Sequence, residues 1–308
     1  MSGTIYRGPI NPNPKDDEAR IVIYGYVPSL ALGLVGIITF MLVLCVHTFW
    51  LVRKKKTRTF HILVLIGALM EVGGYAARLA SHKRPFVVGS FIAQYFLIVV
   101  APVLFTAAIY LSLTLAVNNL PGAGRLLVIS PRKVLAFFVT ADVLTTILQI
   151  IGAALIGSSE SARVSGKHSF IAPEQANNIL LAGLAIQCFS FLCFLAILTI
   201  AIARSIRQRT TLQMGNEDLY GDLKNLLWLI LVTSILILLR TIFRLAETAQ
   251  GFFGYASTHE SLFGTLEYLP VILALTIWAV APPGRFLADT MSQAGVTELG
   301  GRTEKAPR

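Results

Sequence analysis

Seven ionisable side chains sit inside or at the ends of long apolar runs: Glu71, Arg78, Asp142, Arg240, Arg244, Glu247 and Glu267. Insertion scales put an Asp, Lys or Arg at the centre of a membrane helix at about 2.5–3.5 kcal/mol each. Several such groups left unpaired would outweigh a typical protein's whole net stability of about 5–15 kcal/mol. They must therefore pair with one another or face water. Glu71 and Arg78 are two helical turns apart on one face, and Asp142 and Gln149 repeat that spacing. Arg240, Arg244 and Glu247 stand at i, i+4 and i+7, again on one face. Four acids against three arginines leave the set close to neutral, with one acid free to be protonated if buried. Two chemistries fit this pattern. One is a set of buried ion pairs locking helices together. The other is a partly polar interior that holds the head of an amphiphile. Gln94, Tyr95, Tyr110 and Gln187 add neutral polar groups, for which an interhelical hydrogen bond is the ordinary role.

The elements that must position these residues follow from composition. Of 308 residues, 55% are hydrophobic and only 14% charged, with a mean hydropathy of +0.70. Soluble domains carry about 25% charge, so there are too few charges here to cover a soluble exterior. Crossing a hydrocarbon core takes about 20 apolar helical residues. Runs near 27–52, 60–80, 86–117, 134–157, 176–203, 225–250 and 262–281 meet that length. The expected fold is an all-α integral membrane protein, a seven-transmembrane-helix bundle over 26–282 between polar tails at 1–25 and 283–308. Pro85 to Gly124 holds no Asp, Glu, Lys or Arg over 40 residues, long enough for two spans or for one helix around Pro102. Charge decides between them. With seven spans, the segments 53–59, 118–133, 204–224 and the C-terminal tail carry 16 Lys and Arg, against 7 on the other side. The positive-inside rule then puts the N-terminus outside and the C-terminus in the cytosol. The first 20 residues hold Arg7, Lys15 and Arg20 but no apolar h-region, so the first span is the expected targeting signal.

Other chemistries find little support. The net charge of +10 lies in short clusters beside apolar runs, as topology signals do, and nucleic acid is not an expected partner. Cys45, Cys188 and Cys193 fall in apolar segments without metal-ligand spacing. His47 and His61 flank the first basic loop, an interfacial position, and no His-x3-His pattern marks a zinc site. There is no phosphate-binding G-x-x-x-x-G-K-[ST] loop, no lysine in the seventh span, and no nucleophile beside a base. The expectation is no catalytic residue, no metal and no cofactor, hence not an enzyme. Pro102 and Pro270 each free a helix carbonyl that can line a polar interior.

Read in order, the landmarks form a set. They are Glu71-Val-Gly-Gly-Tyr75-Ala-Ala-Arg78, Ala101-Pro102 with Tyr110, Asp142 with Gln149 and Gly152, Gly183 with Gln187, Arg240-Thr-Ile-Phe243-Arg244-Leu-Ala-Glu247, His259-Glu260, Glu267 and Pro283-Gly284-Arg285. Over about residues 24–286 this set resembles the fungal RTA1-like, lipid-translocating exporter family. The resemblance implies a seven-helix protein of fungal membranes concerned with movement or release of sphingoid long-chain bases. It also implies resistance to toxic sterol-like or other amphiphilic compounds, and porphyrin transport. It singles out Glu71, Tyr75, Arg78, Asp142, Gln149, Gln187, Arg240, Arg244, Glu247 and Glu267; with Gln94 and Tyr110 these are the candidate ligand-binding residues. Gly264 and Pro282 stand where an aromatic residue and a histidine are usual. An ammonium head would suit Glu71, Asp142, Glu247 or Glu267, with Arg78, Arg240 and Arg244 holding those acids ionised. The expected partners are a membrane lipid or amphiphilic small molecule and the bilayer itself; the expected location is the plasma membrane, with vacuole or endoplasmic reticulum as alternatives. Rival readings are a seven-helix lipid-sensing receptor signalling through cytosolic loops, an intramembrane lipid hydrolase, and a porphyrin or haem transporter.

Overall fold

Apolar runs this long leave the backbone one way to satisfy its hydrogen bonds without water, the α-helix. A computed structural model describes residues 9–15, 18–20, 22, 24–119, 126–127, 129–164, 172–207, 217–251 and 254–287. Most of the polar C-terminal tail and the centres of the three longest loops lie outside the described residues. Six long helices appear: α1 Leu30–Arg53, α2 Arg58–Lys83, α3 Val88–Asn119, α4 Pro131–Val164, α5 Pro173–Arg207 and α6 Glu217–Ala249. The seventh span, Glu260–Leu287, is built from shorter pieces, including a π-helical turn Phe263–Tyr268 and an α-helix Leu269–Val280. Several helices overrun their apolar runs. Both α4 and α5 open on a proline, which is suited to a first position where no amide bond is needed. The 40-residue uncharged stretch is spanned by α3 alone, with Pro102 inside it.

Each helix packs against its neighbours in sequence, the seventh span touches α1 and α6, and α3 crosses the middle to reach α6. That arrangement makes α3 the innermost helix, 61% buried over its apolar window, and α1 the most peripheral at 28%. Leu34, Ile38, Leu42 and Phe49 of α1 are exposed, whereas Glu71, Asp142, Arg240 and Glu267 are buried. This is the inverse of a water-soluble surface and matches a lipid-facing exterior. Helices in lipid gain little from apolar burial against one another, so close packing at small residues becomes decisive. A Cβ on Gly36 would lie 2.3 Å from the Tyr75 ring, and one on Gly74 would lie 2.6 Å from Ile98. A Cβ on Gly152 would lie 2.6 Å from the backbone nitrogen of Leu180. These three glycines let α1 and α2, α2 and α3, and α4 and α5 approach closely.

The polar N-terminal segment is tied to the bundle. The Ala19 amide donates to the Phe86 carbonyl at 2.8 Å, and Glu18 pairs with Val87 as an isolated bridge. Gly25, at a φ of +74°, turns the chain so that Tyr24 and Tyr26 both enter the bundle where α1 begins and α2 ends. That end is called the upper end below.

Candidate functional site

The twelve candidate residues separate into four groups. At the upper end Arg78 is 1% exposed, and its Nη2 donates to Glu260 at 2.5 Å and to the Tyr26 hydroxyl at 2.9 Å. Its guanidinium also lies 4.3 Å from the Phe263 ring centre. The Glu260 carboxylate accepts as well from the Ser29 amide at the start of α1, at 2.9 and 3.1 Å. An acid there suits both the helix N-terminus and the arginine. Beside this pair the Tyr24 hydroxyl bonds Ser81 at 3.1 Å and donates to the Gln94 side-chain oxygen. Burial pushes the Tyr24 hydroxyl pKa up to about 12, so it stays a neutral donor. Arg78 therefore pairs with Glu260 across the bundle, not with Glu71 on its own helix.

Deeper lies the main charge network. Arg240 of α6 donates to Glu267 at 2.5 Å and to the Ile98 carbonyl at 2.8 Å. Ile98 is four residues before Pro102, which has no N–H to offer it. The carbonyl freed by the proline is the one that receives the guanidinium, and Gly74 is what lets α2 lie against Ile98. Arg244 donates to Glu247 at 3.0 Å, and its Nε stands 3.0 Å from the second Glu267 oxygen without the N–H being aimed at it. Tyr95 faces the Arg244 guanidinium at 5.6 Å. Glu267 belongs to the π-helical turn. Turns of this kind recur at functional sites because they rotate a side chain out of the α-helical register. The same segment brings Tyr268 to the Thr39 hydroxyl of α1 at 3.0 Å.

Glu71 sits within electrostatic reach of Arg240, Arg244 and Glu267, with Tyr75 on the next turn. It is 2% exposed and makes no hydrogen bond or ion pair with any described residue. The third group joins α3 to α4: Asp142, 1% exposed, accepts from Thr106 at 2.7 Å and Tyr110 at 2.9 Å through a single oxygen. Its other oxygen is buried without a partner. The fourth is a side-chain bond from Gln149 to Gln187 at 2.7 Å, joining α4 and α5 beside Gly183. Among the candidates, then, Glu71, Tyr75, Arg240, Arg244, Glu247 and Glu267 converge. Arg78 and Gln94 form the layer above them, and the remaining four stand apart.

The expectation that the arginines hold all four acids ionised is revised on two of them. Only Glu247 and Glu267 have an arginine, while Glu71 and Asp142 have none. Sequence reasoning also missed Tyr24, Tyr26 and the pairing role of Glu260. The signal was a pair of tyrosines just ahead of a span, where aromatic residues collect at the interface, and an acid at the mouth of the seventh span. His47 and His61, expected at an interface, are fully buried with their Nδ1 atoms 3.1 Å apart. They stand seven residues either side of Lys54, so the α1–α2 hairpin closes one on the other.

The family model described as RTA1 like protein matches residues 64–290. The chain is 26% identical over 296 residues to protoporphyrin uptake protein 1 of Saccharomyces cerevisiae, covering 85% of this chain and 92% of that protein. It is 31% identical over 223 residues to protein RTA1 of the same yeast, covering 72% and 65% respectively. It is 25% identical over 291 residues to the yeast sphingoid long-chain base transporter RSB1, covering 84% and 73%. No solved structure matches.

Proposed function

The chain belongs to the RTA1-like family, and from that membership together with its buried charge network we propose that it binds an amphiphile with a cationic head and moves it across the bilayer. The substrate class we favour is the sphingoid long-chain base, as one relative's name says of that relative. One observation carries this reading: the carboxyl of Glu71, buried among helices with apolar walls, has no cation of its own. An ammonium head supplies one, and the long alkyl chain of the base lies along the apolar helix faces. A porphyrin, which the name of another relative points to, carries carboxylates and asks instead for a free guanidinium. Arg78, Arg240 and Arg244 are each already engaged by a carboxylate. The cationic head is therefore the better match. In this reading the protein acts by binding and release, not by catalysis. Its N-terminus and the Arg78–Glu260 layer face outward, its basic loops face the cytosol, and export of the base at the plasma membrane confers resistance to toxic amphiphiles.

The test is reconstitution into sealed liposomes with a labelled sphingoid base and a labelled phospholipid, without ATP. The expected outcome is faster transbilayer movement of the base alone, lost in Glu71→Gln. Equal movement of both lipids, or an unaffected variant, defeats the proposal.

A further inference from the structure

Counting charge within the bundle leaves two buried acids without a cation, and hydrogen bonding separates them. Arg78 is matched by Glu260, and Arg240 and Arg244 are matched by Glu267 and Glu247. Those three arginines and three acids sum to zero. Glu71 is left over, 2% exposed and without a hydrogen bond from any described residue. The groups around it come from every side. From α6 there are Arg240 and Arg244, already engaged, and from the seventh span Glu267, a like charge. From its own helix there is Tyr75, and from α3 there is Tyr95 beside Arg244. The ionisable groups of α1 are Cys45, His47 and Arg53, all in its lower half, and α1 meets Tyr75 with Gly36 and Phe40 instead. An ionised Glu71 would thus add an uncompensated negative charge to a neutral network in a low-dielectric interior. A carboxyl in that position neutralises itself instead. Asp142 also lacks a cation, but two hydroxyl donors serve one of its oxygens. Among the described residues the Glu71 carboxyl has no donor.

We infer that Glu71 is a proton-binding site: it is a neutral carboxylic acid in the ligand-free protein, and its proton leaves when a cation takes its place. This rests on the proposed function for the identity of that cation, and it adds what the cation is exchanged for. The step balances. An ammonium head and the protonated carboxyl give an ammonium–carboxylate pair and one proton released to water. The cluster keeps the same net charge before and after, so the protein alternates between two neutral states. Outward movement of a base is then coupled to inward movement of a proton, and a proton gradient suffices as the driving force.

Infrared spectroscopy of the ligand-free protein in lipid nanodiscs reads this directly through the carbonyl stretch of a protonated carboxylic acid. At neutral pH the wild type is expected to show a component that disappears in Glu71→Gln and persists in Asp142→Asn. Glu71→Asp, which keeps an acid, is expected to retain it at a shifted position and serves if the glutamine variant does not fold. Titration with sphingosine in weakly buffered medium is then expected to discharge that component, with one proton released per base bound. Superimposable wild-type and Glu71→Gln spectra overturn the inference whatever the protein binds. A component that survives saturation with bound sphingosine overturns the exchange. If the component behaves as expected and sphingosine does not bind, the proton site stands and the sphingoid-base reading falls.

Discussion

Removing Glu267 and removing Arg240 are expected to have unequal costs, although the two residues form one ion pair. Glu267 is 1% exposed, accepts from Arg240 at 2.5 Å and lies 3.0 Å from Arg244. Breaking a buried pair by deleting one partner costs about 3–5 kcal/mol, because the other charge is left uncompensated. In Arg240→Met the surplus is negative, and it is relieved only by protonating a second carboxyl, which forfeits the remaining charged contact between Glu267 and Arg244. The Ile98 carbonyl, which Pro102 cannot serve, also loses its donor, itself a cost of about 1–3 kcal/mol. The expected loss is therefore the full range, about 3–5 kcal/mol. In Glu267→Gln the surplus is positive, and Glu71 can answer it by giving up its proton. The remaining loss is that of a charged hydrogen bond, about 1.5–3 kcal/mol. Adding Glu71→Gln to Glu267→Gln removes the response and brings the loss back to about 3–5 kcal/mol. Unfolding curves of the three purified variants and the wild type in detergent, followed by circular dichroism, measure these losses. Glu267→Gln proving as costly as Arg240→Met, or Glu71→Gln adding nothing to it, would refute the reasoning.

The other predictions concern the surrounding layers. Tyr24 holds its proton to about pH 12 when folded, against 10.0 when unfolded, so between those values the unfolded chain binds fewer protons and stability falls as pH rises. The slope from this residue is about 1.4 kcal/mol per pH unit, and alkaline denaturation curves of Tyr24→Phe should be correspondingly flatter. Gly36→Ala puts a methyl 2.3 Å from the Tyr75 ring and should cost about 1–3 kcal/mol of overpacking. Gly264→Ala, whose nearest neighbour is Leu32 at 3.7 Å, is the tolerated control in the same thermal melts. Gln149→Leu strands the Gln187 side chain and should cost about 1–3 kcal/mol, whereas Gln149→Leu with Gln187→Leu should recover most of the loss. A double variant no more stable than the single one would remove that bond as the link between α4 and α5.

Much of the architecture is legible in the sequence because it is set by local physics. Apolar run length dictates seven helices, the distribution of basic residues argues for one helix across Pro102, and helical spacing assigns Glu71, Asp142, Arg240 and Arg244 to inward faces. Even the role of Pro102 follows locally, since a missing N–H always frees the carbonyl four residues back. The choice of partners does not follow. Arg78 and Glu260 are 182 residues apart, and their meeting depends on the seventh span closing the ring against α1. The pairing of Arg240 with both Glu267 and the freed Ile98 carbonyl needs α3 to cross the bundle and the π-helical turn to swing Glu267 inward. Periodicity specifies the face a residue occupies, but it carries no information on which other faces stand opposite. That is decided by the rotations and close approaches of seven packed helices. Those same approaches give all three arginines a carboxylate and leave Glu71 without a cation.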